Sequence, residues 1–177
     1  EQKVLDETKL VEIMVPIVAG LAAVHDAGVV HRNLKPANIF IARGRNDETI
    51  PKLFDFGISK ALWSDELKLT LPNRLLLGTP GYMSPEAIRG AAMTALSDEY
   101  SLGVVMYECV TGINPCEGES FADTLRIITS GAYAPVSRHR PQLSRHLTNI
   151  IERAMSLDPA DRFSDMRELG RELLMLA

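Results

Sequence analysis

Residues 97–111, SDEYSLGVVMYECVT, limit the possible folds more than any other stretch of this chain. On a helix, Leu102, Val105, Met106, Cys109 and Val110 cover most of the circumference. A helix that is apolar nearly all round needs neighbours on every side, so it belongs at the centre of a core. The chain has 177 residues, enough to wrap such a helix within one domain.

The wrapping elements are mostly helical. Leu10, Met14, Ile17, Leu21 and Val24 recur at three- and four-residue steps, which predicts a helix over 6–27. Asp6 can cap its start and Gly28 can end it, while Pro16 predicts a kink or a late start. Ile39–Ile41 and Lys52–Phe54 read as the strands of a small hairpin turning through RGRNDET. Ser120 and Asp123 have the spacing of a capping box ahead of a helix near 121–130, which Gly131 stops. Two more helices are expected near 144–157 and 164–176, the second with Phe163, Met166, Leu169 and Leu173 on one stripe. The expectation is about six helices around a buried central helix, plus one hairpin. Residues 55–86 lack a periodic pattern, and irregular segments of that length are usually functional.

Several function classes are disfavoured. The net charge is −4 and the Lys and Arg residues are scattered, so neither nucleic acid nor an anionic membrane is the expected partner. No apolar run reaches the roughly 18 residues of a membrane span. The chain begins at Glu1 without a methionine, so a processed leader stays open. Two cysteines, Cys109 and Cys116, are too few for a disulfide framework or a zinc site and read as reduced thiols. A cytoplasmic location is expected.

Four signals occur in order. The first is His31-Arg32-Asn33-Leu34-Lys35-Pro36-Ala37-Asn38, and the second is Asp55-Phe56-Gly57, seventeen positions beyond Asn38. The third is GTPGYMSPE, from Gly78 to Glu86. The fourth is Asp98 leading the buried helix, with Arg162 in DPADRF much later. Asp-Phe-Gly alone is weak, but the ordered set is very specific.

This set resembles the eukaryotic-type protein kinase superfamily, and LKPAN, GTPGYMSPE and YSLGVVMYE look most like its bacterial Ser/Thr branch. The resemblance covers residues 1–177 and implies a mainly α fold, the C-terminal lobe of a kinase domain, with 55–86 as activation segment. Within these residues nothing resembles the glycine-rich loop, the strand lysine or its glutamate partner. The resemblance implies ATP and Mg2+ as cofactors of an intact kinase, with Asn38 and Asp55 as the oxygen ligands of the metal. Two suffice, because Mg2+ binds through few protein groups plus substrate phosphates. Lys35 would neutralise charge on the transferring phosphoryl group. Thr79 resembles the threonine that shapes the acceptor site and favours Ser or Thr over Tyr. Ile39 and Phe40 resemble the floor under the adenine ring. His31 and Phe56 resemble an apolar stack between lobes, and Asp98 an anchor under the catalytic loop, with a plain N-cap as its alternative. Glu86 and Arg162 resemble a buried ion pair. Arg32 resembles the arginine that receives a phosphorylated threonine; Thr70 is the candidate, with Ser59, Ser64 and Thr79 competing. His25, His139 and His146 have no partner pattern and read as structural or solvated.

The departure is Asn33, where the family has Asp. An amide keeps the shape but accepts no proton near neutral pH. The expectation is a preserved loop with lost turnover, through an engineered or recent change rather than long inactivity, because Lys35, Asn38 and Asp55 are all kept. The alternative is a natural pseudokinase acting as a binding or scaffold module. A small-molecule phosphotransferase is disfavoured, since it has no use for the peptide-docking GTPGYMSPE. Without small-lobe contacts the chain alone is expected to bind ATP weakly or not at all. A protein substrate with Ser or Thr is the implied partner. The apolar surface near Phe40 and Phe56 is expected to drive self-association, a covering partner, or exchange of the 55–86 segment.

Overall fold

The computed structural model describes residues 4–56 and 80–177. Gly57, Thr70 and Thr79 lie outside the described residues, as does most of the 55–86 segment. The described chain is mainly helical: α1 (Glu7–Asp26), α2 (Pro85–Ile88), α3 (Ala95–Thr111), α4 (Phe121–Ser130), α5 (Val136–His139), α6 (Arg145–Ala154) and α7 (Met166–Leu174). The antiparallel pair β1 (Ile39–Arg43) and β2 (Thr49–Leu53) is the sheet among these residues.

Helix α3 is the axis of the core. Tyr100, Leu102, Val104, Val105, Met106 and Val110 are all 0% exposed. α6 packs on one side and α1 on another, and α1 in turn carries α7 and β2. Close approach of α3 to α6 rests on Gly103, where an added Cβ would lie 2.7 Å from Met155 Cγ.

Helix boundaries follow their caps. Asp6 accepts from the Lys9 N–H, Ser144 from the Leu147 N–H and Asp165 from the Glu168 N–H. Gly28 and Gly131 take φ of 74° and 66°, left-handed values that stop α1 and α4. Several expectations need correction. α1 begins at Glu7 and runs through Pro16, so there is no late start. It is also 20 residues long, and an 18-residue window within it has a mean hydropathy of 1.5, so by length and composition alone it could cross a membrane. Leu10, Met14, Ile17 and Leu21 are nevertheless buried in the protein core. The Ser120–Asp123 box is half formed: the Asp123 N–H donates to Ser120, while the Asp123 carboxylate takes the Glu119 N–H instead. The short helices α2 and α5 escaped the periodic pattern because four residues complete barely one turn.

Candidate active site

The hairpin brings two oxygen-bearing side chains, distant in sequence, to one place. Ile39 pairs with Leu53, so the Phe54 N–H donates to the Asn38 carbonyl at 3.0 Å. Asp55 follows directly. Asn38 and Asp55 therefore meet at the open end of the hairpin, where the 3-10 turn Pro36–Asn38 brings in the preceding loop.

Two residues here hold left-handed backbone, Arg32 at φ 66° and Asp55 at φ 65°. A non-glycine residue pays roughly 1 kcal/mol for this and keeps it only where its surroundings over-determine it. At Arg32 the determinant is Asp98, 1% exposed in the first turn of α3. Its carboxylate accepts the His31 and Arg32 N–H groups, each at 2.8 Å, and lies 2.8 Å from His25 Nε2. Asp98 is not the N-cap of α3; that position is Thr94, whose N–H donates to Ser97 Oγ.

His31 is fully buried. Its Nε2 donates to the Phe54 carbonyl at 3.0 Å, and Nδ1 accepts the Asn33 N–H at 3.3 Å. Burial above all holds this imidazole below its ordinary pKa, against the opposing pull of Asp98. The ring lies 4.6 Å from that of Phe56, tilted by 54°.

Asn33 is the hub. Its Nδ2 donates to Asp55 Oδ2 at 2.7 Å, and its carbonyl accepts Asn38 Nδ2 at 2.7 Å. The amide orientation follows from chemistry, because only a nitrogen can donate to a carboxylate oxygen. Lys35 is half-buried one residue before the 3-10 turn. Phe40 is 59% exposed on β1 and meets Phe54 edge-on at 6.0 Å.

Glu86 and Arg162 form a second centre. Arg162 donates to both Glu86 oxygens at 2.9 Å and also to the Leu96 and Ser156 carbonyls. Burial alone would raise the Glu86 carboxyl, but Arg162 and Ser97 outweigh it and bring it down to about 2. Removing one partner of such a pair typically costs about 3–5 kcal/mol.

The structure thus gathers His31, Arg32, Asn33, Asn38, Asp55, Phe56 and Asp98, and holds Glu86 with Arg162 apart from them. Among the described residues no group of three or more His, Cys, Asp or Glu could hold a metal. A cavity of about 300 Å3 lies beside this constellation, lined by Leu5, Met14, Pro36, Ile39 and Glu108; Ile39, expected in the adenine floor, is on its wall, while Asn33, Lys35, Asn38, Phe40 and Asp55 are not. Two residues went unread in the sequence. His25, taken as lacking a partner, contacts Asp98 because the Gly28 turn folds the end of α1 back toward the loop. Glu99, not singled out in the sequence, is 1% exposed on the apolar helix and accepts the Phe163 N–H. His146 lies 3.2 Å from the Glu172 carboxylate and keeps a part-exposed place.

Residues 1–174 match the family model described as protein kinase domain. The chain belongs to that family. It is 36% identical over 172 residues to the serine/threonine-protein kinase pkn3 of Myxococcus xanthus, covering 96% of this chain and 31% of that protein. It is 35% identical over 177 residues to the probable serine/threonine-protein kinase PknB of Corynebacterium glutamicum, covering 98% of this chain and 27% of that protein. Against the serine/threonine-protein kinase PknL of Mycobacterium tuberculosis the identity is 34% over 175 residues, with 95% and 40% covered. The chain spans less than half the length of these curated relatives.

Proposed function

We propose that this chain is the C-terminal lobe of a bacterial-type Ser/Thr protein kinase domain, arranged for transfer of the ATP γ-phosphate to protein hydroxyls but unable to turn over as written. The observation that carries this reading is the joining of Asn33, Asn38 and Asp55 over a backbone pinned by Asp98. The donor set fits Mg2+. Asp55 offers a carboxylate, and Asn38 gives its Nδ2 to the Asn33 carbonyl, which leaves its amide oxygen for a hard cation. Bound there, Mg2+ would neutralise phosphate charge. Lys35 adds a second positive charge. Asn33 can orient an acceptor hydroxyl through its amide oxygen but cannot take its proton, a loss of about 10²–10⁴-fold in rate. Thr79, Gly57 and Thr70 enter as acceptor-site and activation-segment residues of 55–86 on the strength of the resemblance. The chain alone is expected to hold ATP weakly, in the cytoplasm, where that nucleotide is supplied. Phe40 and Phe54, 59% and 52% exposed, make self-association through the hairpin face the expected behaviour.

The test is radiolabelled phosphate transfer to a generic Ser/Thr protein by three variants. Asn33→Asp alone should stay silent. A kinase small lobe joined ahead of the unchanged chain should give ATP binding with turnover lower by roughly 10²–10⁴-fold. The two together should phosphorylate Ser and Thr. If the doubly restored protein binds ATP and transfers nothing, a scaffold role takes the place of the enzyme reading. One observation favours that second reading: the Asn33–Asp55 hydrogen bond satisfies the carboxylate from within the protein.

A further inference from the structure

We propose that Asn33 acts as an uncharged stand-in for a cation at Asp55, so that the metal-ligand end of the hairpin keeps its form with no metal bound. The inference rests on the reading of Asp55 as a metal ligand given above. Asp55 sits at φ 65°, backbone that needs an external hold. Asp98 supplies one for Arg32 through its amide. For Asp55 the hold is on the side chain, the Asn33 Nδ2–H at 2.7 Å. Asn33 is itself fixed at both backbone groups, by His31 Nδ1 and by Asn38 Nδ2. The donor is therefore aimed before any ligand arrives. A carboxylate at position 33 would place two acceptors at this distance with no proton between them, a repulsive arrangement that a divalent cation relieves. An amide removes both the repulsion and the demand for the ion. It also occupies one Asp55 oxygen, so an incoming cation has to displace that hydrogen bond or share the oxygen.

The test uses the 177-residue chain at neutral pH and reads melting temperature in EDTA, in about 10 mM MgCl2, and in KCl of matched ionic strength. Asn33→Asp is expected to melt roughly 5 °C below the parent in EDTA and to recover most of this in MgCl2 but not in KCl. The parent is expected to move by less than about 1 °C with MgCl2. The exchanged pair Asn33→Asp/Asp55→Asn restores one amide and one carboxylate and should melt with the parent in EDTA. If Asn33→Asp cannot be recovered folded without metal, its refolding yield with and without MgCl2 gives the same reading. The proposal is overturned if Asn33→Asp melts with the parent in EDTA, or if the exchanged pair is no better than Asn33→Asp. It is also overturned if the parent gains as much from MgCl2 as Asn33→Asp does, a result that leaves Asp55 a metal ligand and the kinase reading intact. Failure of all variants to respond to MgCl2 removes the stand-in role, and the phosphate-transfer assay then decides the kinase reading separately.

Discussion

Glu99 is 1% exposed on the central helix, with Oε1 on the Phe163 N–H at 2.8 Å and Oε2 without a protein partner. Burial pushes its carboxyl up to about 8, against the pull of the Phe163 N–H and the nearby Arg162 and Arg153. The folded value lies above the ordinary one, so the fold favours the protonated form. Stability from this group is fully present below the ordinary carboxylate pKa of about 4.5 and is lost as pH rises through about 8. Glu99→Gln keeps the shape and the acceptor but does not titrate. Urea melts should give the parent and Glu99→Gln similar stability near about pH 5, with Glu99→Gln ahead by roughly 2–4 kcal/mol near about pH 8.5. Parallel pH curves for the two proteins would show that the buried carboxyl carries no such penalty.

Among the elements, two glycines in helices test whether packing or propensity decides. Gly20 is exposed within α1, and a Cβ there meets nothing within 4 Å. Gly20→Ala should stabilise by about 0.5–1 kcal/mol, since alanine is the better helix former. At Gly103 an added Cβ would meet Met155 Cγ at 2.7 Å and Ala154 Cβ at 3.1 Å. Gly103→Ala should destabilise despite the same gain in propensity, because overpacking costs about 1–3 kcal/mol. Thermal melts showing shifts of the same sign would contradict the close contact of α3 with α6. The sequence made α3 and α7 legible because their apolar residues recur on a helical period, and α1 because Asp6 and Gly28 mark its ends. The site was legible where chemistry is local to a motif, as at His31–Asn38 and Asp55. It was not legible where a contact joins residues far apart in sequence, as His25 with Asp98, or where a side chain's burial contradicts its polarity, as at Glu99.

At the scale of the whole molecule, exposed apolar surface gathers on and beside the hairpin: Phe40, Ile41, Phe54 and Phe56 are 59%, 43%, 52% and 38% exposed. Light scattering should show self-association that rises with concentration, and Phe40→Ser with Phe54→Ser should weaken it while lowering the unfolding free energy by no more than about 1 kcal/mol. A parent that stays monomeric at high concentration would remove the hairpin face as an interface. Asp98 sets how the rest of this end behaves. It belongs to the most deeply buried helix, yet its carboxylate is spent on the amides of His31 and Arg32 rather than on its own helix terminus. A surface loop usually opens and closes on its own schedule. Here the loop backbone can let go only when a carboxylate is stripped of its partners inside the core, so its lifetime is tied to that of the global fold. Whatever docks on it meets a floor that is already rigid, forfeits little entropy in ordering it, and binds at a rate set by encounter rather than by waiting for the loop to form.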